Sequence, residues 1–92
     1  MLKVVLAKSF KRCFKAVQKQ GKDMSKLTKV MSLLENELPI PPEYKDHPLQ
    51  GKHIGRRELH IEPDWLLVYK TDKKELVLYL ISTGTHQKSL HH

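Results

Sequence analysis

Arg57-Glu58-Leu59-His60-Ile61-Glu62-Pro63-Asp64-Trp65-Leu66-Leu67-Val68-Tyr69 is the stretch that decides how this 92-residue chain folds. Its first six residues alternate. An extended backbone then puts Leu59 and Ile61 on one face and Glu58, His60 and Glu62 on the other. Pro63-Asp64 makes a turn, and the five residues from Trp65 to Tyr69 are apolar without a break, as in a strand buried on both faces. Thr71-Asp72-Lys73-Lys74 is a second turn, and Leu76 to Ile81 forms a last strand with Gly84 behind it. Tight turns between consecutive strands imply three antiparallel strands.

Upstream, Leu2-Lys3-Val4-Val5-Leu6-Ala7 is short and β-branched and reads as another strand. Ser9 is placed to N-cap a helix whose Phe10, Cys13, Phe14 and Val17 fall at i, i+3, i+4 and i+7, until Gly21 stops it. Asp23 is the next N-cap. Met24, Leu27, Val30, Met31, Leu34 and Leu38 continue the helical period as far as Pro39. From Pro39 to Gly55, Pro39, Pro41, Pro42 and Pro48 with Gly51 and Gly55 forbid regular structure over most of the length. A loop this long in a small domain, carrying Tyr44, Asp46, His47, Lys52 and His53, is expected to be functional. The order is β-α-α-β-β-β: an α+β domain spanning residues 1–92, with a helical hairpin on one face of a sheet.

Seventeen Lys and Arg against ten Asp and Glu leave a net charge of +7. A small body so charged is drawn to polyanions by counterion release. Charge alone fits nucleic acid and an acidic protein partner equally well. Six basic residues and no acid lie from Lys8 to Lys22, spread by helical spacing around the solvent side. The single cysteine, Cys13, excludes an internal disulfide and a Cys-rich zinc site. It reads as a small core residue. No apolar run approaches the roughly 20 residues of a membrane span, and Met1-Leu2-Lys3 begins no signal peptide, so a cytoplasmic protein with no membrane partner is expected.

No phosphate-cradling glycine loop, Gly-x-Ser-x-Gly elbow or His-Glu-x-x-His helix is present. What the sequence offers is histidine, all six in the second half. His91 and His92 end the chain, as residues of a purification tag would, and are set aside. His47 in the Pro-rich loop, His60 on a strand and His86 past the last strand can converge at one end of a small sheet, beside Asp64. Imidazoles are suited to RNA cleavage by transesterification: one takes the 2′-OH proton and another protonates the 5′-oxygen. The same residues can be read as zinc ligands, but their spacing matches no metal-ligand signature; no metal or cofactor is expected. Each histidine taken alone fits an ordinary surface residue. Trp65 fits either a core anchor or a stacking surface for a base. Lys52, Arg56 and Arg57 form a basic cluster beside the histidine-bearing strand, where phosphates would lie.

Tyr44-Lys45-Asp46-His47-Pro48-Leu49-Gln50-Gly51, the block from Arg57 to Tyr69, and Thr83-Gly84-Thr85-His86 resemble the YafQ-like branch of the RelE/ParE toxin superfamily. The likeness covers nearly the whole chain. It implies the toxin of a type II toxin–antitoxin pair, an endoribonuclease that enters the ribosomal A site and cuts mRNA there. Its implied partners are a cognate antitoxin, the ribosome with its mRNA, and operator DNA only as the toxin–antitoxin complex. Carried over, His47, His60, Asp64 and His86 are the catalytic set, with Trp65 lining the site. The arrangement expected is His60 as base oriented by Asp64, and His86 as acid. The gyrase-poisoning ParE branch has no such acid–base set.

Two positions depart from the family. Arg usually precedes Thr-Gly-Thr-His and contacts the scissile phosphate; here that residue is Ser82. A hydroxyl does not replace a bidentate guanidinium, and removing one transition-state donor typically costs about 10²–10³ in rate. A weakened enzyme is implied, unless Arg56 or Arg57 supplies the charge. The alternative is a degenerate, non-catalytic toxin acting through antitoxin binding and operon co-repression. Relatives also end in an apolar pair with Phe, where this chain has Gln87-Lys88-Ser89-Leu90.

Overall fold

A computed structural model describes residues 1–85. Its elements are β1 (Lys3–Leu6), α1 (Lys8–Lys19), α2 (Met24–Glu35), β2 (His47–Pro48), β3 (Arg57–Glu62), β4 (Trp65–Asp72) and β5 (Val77–Thr85). All five strands share one sheet, in the order β1-β5-β4-β3-β2. β1 pairs parallel with β5, Lys3 opposite Val77 and Leu6 opposite Leu80, while every other pairing is antiparallel. The α+β class is the expected one. The strand count differs, because His47–Pro48 in the Pro-rich loop adds a short edge strand to β3. Proline is tolerated at such an edge, where the missing N–H interrupts no central ladder. The same loop also contains two 3₁₀ turns, Pro42–Tyr44 and Gly51–His53.

α1 buries Phe10 and Val17, and the Phe10 and Phe14 rings lie 6.0 Å apart. Its N-cap is Ala7, without a side-chain cap. Ser9 takes another role: its hydroxyl donates to the Ile81 carbonyl at 2.5 Å and ties the helix to β5. Gly21 (φ +79°) turns the chain in the left-handed region after α1. Asp23 caps α2 as its sequence position predicts, accepting from the Ser25 amide at 3.1 Å and the Ser25 hydroxyl at 2.6 Å. α2 ends at Glu35, before Pro39 is reached, which leaves Leu38 exposed instead of in the core.

One face of the sheet is covered by the helices. Leu27, Val30 and Leu34 of α2 join Phe10, Val17, Leu59, Ile61, Trp65, Leu67, Tyr69, Leu78 and Leu80 in a single apolar cluster. Each such side chain stabilises the fold by roughly 1.5–3 kcal/mol when fully buried. β4 is buried from Trp65 through Tyr69, as its unbroken apolar run requires. β5 runs further than the sequence suggests, through Ser82, Thr83 and Gly84 to Thr85. Among the described residues no helix is long and apolar enough to cross a membrane.

Candidate active site on the open face of the sheet

The strand register arranges the second face in rows. His47 lies opposite Glu58, Glu58 opposite Val68, and Val68 opposite Ser82, a row across β2, β3, β4 and β5. The neighbouring row is His60, Leu66 and Gly84. These residues alternate with Leu59, Leu67 and Tyr69 of the core, so they project to the face the helical core leaves open.

Two bulges decide who stands on which face. In β5, Leu80 pairs with Tyr69 but Ser82 pairs with Val68, so Ile81 is an extra residue. Strict alternation from Leu78 and Leu80 would bury Ser82; the bulge turns it to the open face. Thr83 goes to the core instead, accepting from Trp65 Nε1 at 2.9 Å and donating to the Leu66 carbonyl at 2.8 Å. In β3 the register steps between His60 and Glu62. Glu62 therefore leaves the His60 face where alternation put it and meets the helical side, with Lys26 Nζ at 2.7 Å and Lys22 Nζ at 3.2 Å. These ammonium groups, Lys26 foremost, hold the Glu62 carboxyl below its ordinary range.

His47 is set by the residue before it. The Asp46 carboxylate accepts from the Tyr69 hydroxyl at 2.5 Å and from Arg57 Nε at 3.2 Å, both on the core side of the sheet. Burial, and then the Asp46 carboxylate, push the Tyr69 phenol well above its usual pKa, so it stays a donor. With Asp46 pinned on that side, His47 faces the other. Its Nδ1 lies 2.7 Å from the Lys45 carbonyl and its Nε2 3.4 Å from Glu58 Oε1. The His47 and His60 rings are neighbours, with centroids 6.2 Å apart. His60 Nδ1 lies 3.3 Å from the Pro63 carbonyl. A carbonyl only accepts, so each contact places the proton of the neutral ring on Nδ1.

The remaining expected site residues divide. Asp64, at the turn between β3 and β4, is largely exposed and pairs with Lys22 at 3.5 Å. The orienting group on His60 Nδ1 is thus the Pro63 carbonyl, one residue before Asp64. His86 and the tail from Gln87 lie outside the described residues. Trp65 is 0% exposed and hydrogen-bonded in the core, so it presents no face to a base. Arg57 alternates with Glu58 and is bound to Asp46 on the other side, away from the phosphate position expected for it. Lys52 is exposed on the Gly51–His53 turn. Arg56 does reach the open face, where it lines a groove of about 580 Å³ with Ser82, Glu58 and Val68.

That groove runs between α1 and residues 49–56. β1 stops at Leu6, and α1 borders β5 beyond it, with Ser9, Arg12, Cys13, Ala16 and Gln20 facing the groove. Cys13, expected in the core, is half-buried there. Sequence reasoning missed two residues here. Helical spacing groups Arg12 with the solvated lysines; its i, i+4 spacing to Ala16 is the one signal that sets it apart. Glu58 shares the His60 face by simple alternation, and its pairing with His47 follows only once β2 is known.

The model of the YafQ family, "Bacterial toxin of type II toxin-antitoxin system, YafQ", matches residues 2–91. The mRNA interferase toxin YafQ of Escherichia coli strain K12 is 55% identical over 74 residues, covering 78% of this chain and 77% of that protein. The crystal structure of YafQ from E. coli BL21(DE3) superposes with a TM-score of 0.88 at 42% identity, over 100% of both chains. YafQ in the crystal structure of the E. coli DinJ–YafQ complex gives 0.85 at 43% identity, over 96% of this chain and 97% of that one. The family resemblance of the Asp46-His47-Pro48-Leu49 and His60 to Trp65 blocks thus extends to the whole sheet and helical pair, and the chain belongs to the YafQ family of bacterial type II toxin–antitoxin toxins.

Proposed function

We propose that this protein is an endoribonuclease that cuts mRNA at the A site of the translating ribosome, in the cytoplasm, under the control of a cognate antitoxin. The observation that carries this reading is the adjacency of His47 and His60 on the open face, each with Nδ1 against a backbone carbonyl. One imidazole Nε2 takes the proton of a ribose 2′-OH. The 2′-oxygen bonds to phosphorus, the bond from phosphorus to the 5′-oxygen breaks, and an imidazolium returns a proton to that oxygen. The products are a 2′,3′-cyclic phosphate and a 5′-hydroxyl. DNA has no 2′-OH and does not react this way. His60 acts as base and His86 as acid; Asp64 and His47 complete the set, with Glu58 holding the His47 proton when that ring is charged.

Two relatives support the partners: the E. coli K12 protein is named an mRNA interferase, and an E. coli relative is in complex with DinJ. The basic helices suit an acidic antitoxin and ribosomal RNA alike, and operator DNA is bound through the toxin–antitoxin complex. Translation of a defined message in vitro, with 5′ ends mapped by primer extension, tests the reading. Cuts that require ribosomes are expected.

Ser82 favours a second reading. On the floor of the site it offers a neutral hydroxyl where the transition state concentrates negative charge. A weakened enzyme gains about 10²–10³ in cleavage from Ser82→Arg. A toxin retained for antitoxin binding and operon repression leaves the message intact with either residue.

A further inference from the structure

Several cations near the two histidines are already paired, and Lys29 and Lys45 line a separate hollow with His60. Lys22, Lys26 and Arg57 already hold carboxylates, those of Glu62, Asp64 and Asp46. Arg12 and Arg56 have no carboxylate partner among the described residues, and both line the groove that has Ser82 and Gly84 in its floor. An unpaired guanidinium keeps its full hydrogen-bonding fork for an incoming ligand, and a phosphodiester matches that fork. The wall of α1 is cut back to receive it, because Ser9, Cys13 and Ala16 are small and Arg12 stands beside them. Glu58, the one carboxylate lining the groove among the described residues, faces His47 Nε2. A strand laid here passes beside the His47–Glu58–Val68–Ser82 row.

We propose that this groove is a binding site for an RNA phosphodiester, with Arg12 from α1 and Arg56 from the loop closing on the phosphate from opposite walls. The inference rests on the endoribonuclease reading and deepens it. The charge needed at the reacting phosphate comes from the two sides of the groove, since the floor residue Ser82 is neutral.

Arg12→Gln, Arg56→Gln and Lys73→Ala, the last a charge control exposed on the turn between β4 and β5 and outside the groove lining, are compared by two readouts. The first is the rate of ribosome-dependent cleavage; the second is binding of a short 2′-O-methyl RNA, which cannot be cut, as a function of salt. Expected are a loss of about 10² in rate for Arg12→Gln and a salt slope smaller by about 1. Lys73→Ala should change neither by more than about threefold, because an exposed charge on a turn away from the groove is largely screened by salt. Adding Ser82→Arg should restore most of the rate lost by Arg12→Gln, since a guanidinium on the floor then reaches the same phosphate. The proposal is overturned if Arg12→Gln matches the parent in both readouts, or if it loses no more than Lys73→Ala. If the parent protein cuts nothing but Arg12→Gln still weakens RNA binding, the cleavage reading fails and the phosphate site stands. If binding is also insensitive, both fall.

Discussion

Two faces of the same strands have been given different work, and alternate residues separate them. On the helix-covered face, Leu59, Trp65, Leu67, Tyr69, Leu78 and Leu80 are almost wholly buried. On the open face, one residue along each strand, Glu58, His60 and Ser82 are partly exposed and polar, standing around Leu66 and Val68 of β4, which are buried there. The backbone hydrogen bonds that hold the first set hold the second to the same register. The polar groups of the open face are therefore separable from the core, and the fold supplies their spacing at no added conformational cost.

The contrast is sharpest at neighbouring positions. His60→Ala should lower cleavage by about 10²–10⁴ while shifting unfolding free energy by less than about 1 kcal/mol, read by primer extension and thermal melts on one preparation. Trp65→Ala should do the reverse. Removing a fully buried indole costs about 3–5 kcal/mol, a large part of the roughly 5–15 kcal/mol that holds a domain together. The variant should melt far below the parent, with any surviving folded fraction still cutting. Selective loss of cleavage in a stable Trp65→Ala protein would return Trp65 to the site and break the division of the faces.

Asp46 crosses that division. Its carboxylate is held on the core side by Tyr69 and Arg57, and its chain neighbour His47 belongs to the open side. Tyr69→Phe deletes a hydrogen bond to a charged group and should cost about 1.5–3 kcal/mol in denaturant unfolding. It should also lower cleavage, by up to about 10²-fold, because a displacement of His47 by about 1 Å misplaces the proton. Intact cleavage with the stability loss alone would show that β2 keeps its register without Asp46.

Much of this was legible beforehand. The alternation of Arg57 to Glu62 and the unbroken run from Trp65 to Tyr69 determine two strands, and Asp23 announces α2 through its side-chain oxygen. His47 and His60 could be nominated from residue type and family likeness. What escaped was whatever depends on a partner strand. β2 is two residues long, too short for any periodicity, and exists because Glu58 and Arg57 lie opposite it. The bulges at Ile61 and Ile81 are set by pairing with β4, and each reverses the face of the residue that follows. The chemistry of Arg57 and Trp65 suits RNA, but tertiary contacts with Asp46 and Thr83, which no local pattern encodes, engage both. Arg12 gained its place from the groove that α1 borders, which no helical wheel contains.

Glu62 gives the smallest effect and the finest test of the two faces. Lys26 and then Lys22 hold its carboxyl below the ordinary value of 4.5, so the folded state binds fewer protons there than the unfolded chain. A depressed carboxyl contributes stability that is complete above the unfolded value and disappears as pH falls through the folded one. The parent should therefore unfold at a slightly higher temperature than Glu62→Gln near pH 7, by the modest amount a solvent-accessible ion pair provides. The gap should hold down to about pH 5 and close below it. Cleavage near neutral pH should be the same in both proteins, because the Ile61 bulge puts this side chain with the helix lysines. Uninterrupted alternation predicts the opposite: a carboxylate beside His60, and a pH–rate profile altered by its removal. A changed profile with an unchanged melting difference would place Glu62 on the open face and remove the bulge from the account of the site.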